Sequence, residues 1–119
     1  KDWPTYDGTG VRDYIHVMDL AEEHLLALEF LIKEKSQILS INLGTGNGTS
    51  VLELIYAFEE VNGIKIPHSF SKRREGDIGF LVANNYLAKS ILNWKPKLSI
   101  EDMCRDGWKW KKQNIYGYQ

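Results

Sequence analysis

The stretch Ile38-Leu39-Ser40-Ile41-Asn42-Leu43-Gly44-Thr45-Gly46-Asn47-Gly48-Thr49-Ser50-Val51-Leu52-Glu53 decides the fold class. Ile38–Leu43 is a short apolar run of strand type, and the glycines behind it suit a tight turn. Ser50 and Glu53, three apart, form a capping box that opens a helix. Val51, Leu54, Ile55, Phe58 and Val61 supply its buried stripe, and Gly63 ends it. Strand, glycine turn and helix in that order mark an α/β chain.

Working outward, residues 2–10 are rich in Pro, Gly, Thr and Asp and read as a loop. Val11–Val17 reads as an extended segment. Asp19, with Glu22 as its partner, opens a first helix that runs to about Lys35. Leu20, His24, Leu25, Leu28, Leu31 and Ile32 form its apolar face. On the other side, Ile64–Phe70 reads as another short strand, followed by a charged loop at 72–77. Asn84 caps a short helix to about Leu92, Pro96 breaks the chain, and Ser99 with Asp102 starts a last helix to about Asn114. Repeats and low-complexity linkers are absent. The expectation is one compact α/β unit over residues 1–119, helices alternating with short strands.

A chain of 119 residues makes one domain and buries ~65% of its unfolded surface. With 43% hydrophobic, 12% aromatic and 26% charged residues it is neither collagen-like nor disordered. No stretch approaches the ~18 apolar residues of a membrane span, and none reads as a secretory leader. The chain starts at Lys1 without an initiator Met, as a processed product or a piece of something longer does. A lone cysteine, Cys104, excludes an internal disulfide and a Cys-paired zinc site and fits a reducing, cytoplasmic setting. The net charge of −1 is unevenly spread: residues 1–60 carry 4 Lys/Arg against 11 Asp/Glu, and residues 61–119 carry 11 against 5. Either the second half binds an acidic ligand or the halves attract one another.

The glycine run sits where a dinucleotide-binding loop would, but Thr49 stands where the third glycine of G-x-G-x-x-G belongs. No G-K-[ST] follows, so a P-loop is excluded. A tight turn explains the glycines, while free N–H groups at Ser50-Val51 leave contact with a ligand's edge open. His16, His24 and His68 lack metal-ligand spacing, and nothing favours a pairing of Cys104 with a histidine. Trp108-Lys109-Trp110-Lys111-Lys112 mixes aromatics with cations, but a slightly acidic chain lacks the footprint of a nucleic-acid binder. One of the two tryptophans belongs to the core and the other to the rim.

Two other strings carry chemistry. In Arg12-Asp13-Tyr14, alternation puts Arg12 and Tyr14 on one face and Asp13 opposite. That face suits an anion beside a flat ring, or is a plain surface ion pair with a tyrosine next to it. In Arg73-Arg74-Glu75-Gly76-Asp77, Arg74 can fork onto phosphate oxygens while Asp77 accepts from sugar hydroxyls. That pairing suits a nucleoside diphosphate; a solvated charge run is the bland alternative.

Taken together, Asp7-Gly8-Thr9-Gly10-Val11-Arg12-Asp13-Tyr14-Ile15-His16-Val17, Asn42-Leu43-Gly44-Thr45-Gly46 with Ser50-Val51-Leu52, and Arg73-Arg74-Glu75-Gly76-Asp77 resemble the C-terminal part of the UDP-glucose 4-epimerase family. These are extended short-chain dehydrogenases/reductases, and the resemblance runs from Asp2 to Tyr118. It implies a small mixed α/β C-terminal domain whose partner, a Rossmann domain binding NAD, is absent here. It also implies NAD-dependent oxidation and re-reduction at C4 of a UDP-hexose, which interconverts UDP-glucose and UDP-galactose. The family's catalytic Tyr-x-x-x-Lys is missing: Tyr86 has Lys89 three positions on, not four. The chain by itself is therefore expected to be inactive. By the same resemblance Arg12 and Arg74 hold the pyrophosphate, Asp77 takes the ribose hydroxyls, Tyr14 and Val51 line the nucleotide side, and Leu81 lies beside the sugar's C2 substituent. Leu81 is intermediate in size between the family's alternatives, which implies some tolerance of UDP-N-acetylglucosamine. The complete enzyme is implied to be a homodimer joined largely through the absent domain. A sister nucleotide-sugar epimerase or dehydratase, or a free-standing binding module, are the alternatives. An enzyme segment should expose apolar patches where an independent module should not.

Overall fold

A computed structural model describes residues 2–117. In chain order the elements are β1 (Val11–Arg12), α1 (Val17–Lys33), β2 (Thr49–Ser50), α2 (Val51–Asn62), β3 (Phe80–Leu81), α3 (Tyr86–Leu92) and α4 (Ile100–Gln113). β1 is the central strand of the sheet, antiparallel to β2 and parallel to β3. Arg12 is paired with Thr49 on one side and Leu81 on the other. Around this sheet α2 packs on α4 and α1 on α3.

The helix starts follow local chemistry. Ser50 and Ser99 each take the N–H three residues on, while Glu53 and Asp102 reach back to the cap N–H. Gly63 closes α2 with φ 63°, in the left-handed region where a Cβ is disfavoured. At α3 the cap position is Asn85 rather than the expected Asn84 and makes no side-chain cap bond, while the Asn84 carboxamide accepts from Tyr86 N at 3.0 Å.

α1 departs from expectation. It begins at Val17, and its cap is the His16 ring, whose Nδ1 accepts from Met18 N at 3.1 Å. Asp19 is buried and accepts from Lys97 N and Leu98 N at 3.0 and 2.9 Å, and Glu22 pairs with Lys97. Two backbone donors just past Pro96 need an acceptor, and they claim the carboxylate that the capping box would have used. His24, expected to pack on the apolar face, is exposed. Leu25, Leu28, Leu31 and Ile32 are more than half exposed as well, while Leu26, Ala27 and Phe30 pack on the Trp94 cluster.

Two expected strands are absent. Only the end of Ile38–Leu43 keeps the alternation of a strand, with Ile41 and Leu43 turned onto the Trp94 cluster and Asn42 outward, while Ile38, Leu39 and Ser40 are exposed. Among the described residues no strand lies beside it, so it forms no ladder. Ile64–Phe70 instead folds back on the end of α2, where Ile66 N donates to Glu59 Oε1 at 2.8 Å. Phe80–Leu81 takes the sheet position.

The core is small. Its buried hydrophobic residues are Val11, Leu52, Ala88, Leu92, Trp94 and Cys104. Leu52, rather than the expected Val51, is the buried residue at the start of α2. Trp108 packs edge-on against Phe58 with ring centres 5.9 Å apart, and Trp110 lies on the rim. The shape is less compact than the sequence suggests: the radius of gyration is 17.1 Å, against ~13.5 Å for a compact domain of this length.

Candidate functional site

A groove of about 590 Å³ opens between β1, the start of α2 and the 68–77 segment. Arg12, Tyr14, Val51, Arg74 and Asp77 all line it. They come from three separate parts of the chain. β1 delivers Arg12 from the centre of the sheet, and Tyr14 follows two residues on. Val51 is the first residue of α2 and is left half exposed at the groove wall. Arg74 and Asp77 sit on a turn in which Asp77 N donates to Arg74 O at 3.2 Å.

Asp77 is the junction of the site. Its Oδ1 accepts from Arg12 Nη2 at 2.7 Å, and its Oδ2 lies 3.8 Å from Arg74 Nη2. Arg12 Nη1 is held by Val11 O at 2.8 Å, so the guanidinium is oriented as well as paired. Lys72, Arg73 and Arg74 join Arg12 on the lining, against the carboxylates of Asp2 and Asp77. The excess is cationic, as an anionic ligand requires. Burial pushes the Tyr14 phenol above its usual range, partly offset by Arg12, so it stays a neutral wall residue at ordinary pH.

Leu81 stands apart from the other five. It is exposed on β3 and lines a second hollow of about 370 Å³ with Asn42 and Leu43. Arg12, its partner in the ladder, lines both spaces.

Sequence reading missed Trp3 and Phe70. The Arg73 guanidinium lies 3.8 Å over the Trp3 ring, and its Nε pairs with Asp2 at 2.9 Å. This stack fastens the charged turn to the start of the chain. Phe70 lines the groove beside His68, edge to face at 5.9 Å. The only sequence signal for either was an aromatic residue in a segment read as loop or strand.

The glycine loop is occupied by the protein itself. The Asp13 carboxylate accepts from Thr45 N at 2.8 Å, Thr45 Oγ1 at 2.6 Å and Gly46 N at 2.9 Å. At α2 the first N–H groups are taken too: Val51 N by Gly10 O, Leu52 N by Thr9 Oγ1, Glu53 N by Ser50 Oγ. The free donors expected at Ser50-Val51 are therefore not available to a ligand. These residues do not fit the pyrophosphate of a dinucleotide such as NAD.

Cys104 is buried on α4, where burial raises its thiol away from thiolate chemistry. The charge imbalance is partly met within the fold. Asp2–Arg73 and Glu22–Lys97 tie the acidic half to the basic half, and Lys72, Arg73 and Arg74 face the groove.

The family model for GDP-mannose 4,6 dehydratase matches residues 2–107. The chain belongs to that family. This member of the GDP-mannose 4,6 dehydratase family is 55% identical over 117 residues to UDP-glucose 4-epimerase 2 of Arabidopsis thaliana, covering 98% of this chain and 33% of that protein. It superposes on the crystal structure of UDP-glucose-4-epimerase from Stenotrophomonas maltophila with bound NAD and formylated UDP-arabinopyranose. The TM-score is 0.91 at 52% identity, over 96% of this chain and 34% of that one. On UDP-glucose 4-epimerase from Bifidobacterium longum in complex with NAD+ and UDP, the TM-score is 0.92 at 44% identity, over 98% and 34%. The mixed α/β fold expected from the short-chain dehydrogenase/reductase resemblance is thus the fold found. The chain spans about a third of the length of the relatives it matches.

Proposed function

We propose that this chain is the C-terminal, UDP-hexose-binding segment of a UDP-glucose 4-epimerase, and that its groove grips the UDP. The observation that carries the reading is the convergence of Arg12, Tyr14, Val51, Arg74 and Asp77 on one cationic groove. Two guanidiniums gathered on one carboxylate are arranged for a diphosphate. As its oxygens engage Arg12 and Arg74, Asp77 turns to accept from the ribose hydroxyls. A grip on UDP leaves the hexose free to present either face, which inversion at C4 requires.

NAD supplies the hydride chemistry in such an enzyme. It and the catalytic Tyr-x-x-x-Lys belong to the remaining two-thirds of the protein, so residues 1–119 bind and orient substrate without turning it over. The open apolar face of α1 supports this reading, since a free-standing module would not leave Leu25, Leu28, Leu31 and Ile32 in water. The complete enzyme is a cytoplasmic homodimer joined outside this segment. No helix of the described residues is long and apolar enough to cross a membrane.

The test is turnover by the complete protein of UDP-glucose to UDP-galactose, with UDP-N-acetylglucosamine in parallel. Interconversion of the glucose pair is expected, with a slower N-acetyl reaction. Leu81→Tyr should suppress the N-acetyl reaction selectively, because a filled hollow discriminates by ~1–3 kcal/mol. A folded protein with bound NAD that turns over neither pair would overturn the assignment in favour of a sister nucleotide-sugar enzyme.

A further inference from the structure

Arg12 and Tyr14 flank a residue that never reaches the groove they line. The Arg12 backbone is fixed by ladder partners on both sides. Beyond it the chain leaves the sheet, and the next fixed point is His16, the cap of α1. Between the two, Ile15 packs on the Trp94 cluster, and Asp13 ties the stretch to two loops by hydrogen bonds. Its Oδ1 accepts from Thr45 N and Thr45 Oγ1, at 2.8 and 2.6 Å. Its Oδ2 accepts from Gly46 N and Ala83 N, at 2.9 and 3.3 Å. Three of the four donors are backbone N–H groups, so the carboxylate is gripped by two loops that cannot rotate away. The loops close tightly: a Cβ at Gly44 would stand 2.5 Å from Asp13 Oδ2 and 2.6 Å from the Ala83 Cβ. Neighbouring side chains in extended chain point to opposite faces. Locking Asp13 on one face therefore fixes the direction of Arg12 and Tyr14 on the other.

We propose that Asp13 is a positioning residue for UDP binding, holding Arg12 and Tyr14 at the groove through its clamp on Thr45, Gly46 and Ala83. The proposal rests on the UDP reading above, and its experiment is built to separate the two. Asp13→Asn keeps the shape but turns an NH2 group toward donors that need an acceptor. The matched control is Asp19→Asn. Asp19 is likewise a carboxylate accepting from two backbone N–H groups, Lys97 N and Leu98 N, but it lies outside the groove lining.

Each variant is made in the complete protein, and UDP affinity by calorimetry, KM, kcat and Tm are measured. Asp13→Asn should weaken UDP binding about tenfold or more, as misplaced binding groups do. KM should rise in step while kcat holds. Asp19→Asn should lower Tm comparably with UDP affinity unchanged. Thr45→Ala, which removes one of the four donors and is mild enough to fold, should shift UDP affinity the same way by a smaller factor. If Asp13→Asn and Thr45→Ala lose stability but bind UDP as wild type does, Asp13 is merely structural and the proposal fails. Equal loss of UDP affinity in Asp19→Asn also overturns it, because the effect is then general. A wild-type protein that does not bind UDP removes the UDP reading itself, and the positioning role with it.

Discussion

Arg12 reaches two acceptors at once, Val11 O at 2.8 Å and Asp77 Oδ1 at 2.7 Å. A lysine has a single ammonium on a flexible stem and cannot reproduce that fork. Arg12→Lys should therefore weaken UDP binding roughly ten- to hundredfold despite the retained charge, in line with ~1.5–3 kcal/mol for a hydrogen bond to a charged group. Titration calorimetry checks this, and unchanged affinity would show that charge alone matters. At this scale the sequence was legible where chemistry is carried by neighbours in the chain. Arg12 beside Tyr14, and Arg74 three residues before Asp77, could be paired by eye. Asp13, His16 and Asp19 could not, because their partners lie far along the chain, at Thr45, Asp106 and Leu98. No local pattern announces such a partner.

Among the elements, the capped helices were the most readable and the strands the least. A capping box closes within three residues, so Ser50 with Glu53 and Ser99 with Asp102 locate α2 and α4, although the same spacing at Asp19 and Glu22 missed the start of α1. A strand of two residues, by contrast, is defined only by its neighbours. Val11–Arg12 is paired with Phe80–Leu81, and nothing near Phe80 signals it. The α4 cap also makes a prediction. Asp102 accepts from Ser99 N and pairs with Arg105, which holds its carboxyl at about 2. The folded value lies below the unfolded 3.8, so its stabilisation is present above pH 3.8 and lost as pH falls toward 2. Ser99→Ala should cost about 1 kcal/mol at neutral pH. Part of that difference should vanish in acid, as Tm measured across pH 2–6 would show. A penalty independent of pH would mean that the bond from the Ser99 hydroxyl to the Asp102 carboxylate contributes nothing to the cap.

At the scale of the whole molecule, the accessible surface is 8897 Å², against roughly 6,600 Å² for a compact monomer of this mass. Composition foretold a core, and a core exists, but it gathers around Trp94 and leaves one side of α1 open. Hydrophobic spacing shows which residues share a face; it does not show what covers that face. Residues 1–119 expressed alone should bind a hydrophobic dye and self-associate, and Leu28→Glu with Ile32→Lys should reduce both. Light scattering and dye fluorescence decide the matter. A monomer that ignores the dye would favour an independent module. The four tryptophans also sit in unlike places: Trp94 is buried, Trp108 half-buried, Trp110 on the rim and Trp3 beneath Arg73 at the mouth of the groove. Trp3 is thus an optical gauge built into the molecule. Its cationic cover belongs to the same turn as Arg74 and Asp77, so any ligand that draws those residues inward shifts the charge above the indole. Nucleotide arrival can then be followed as a change in intrinsic emission, without a label, and Trp3→Phe silences the signal at its source.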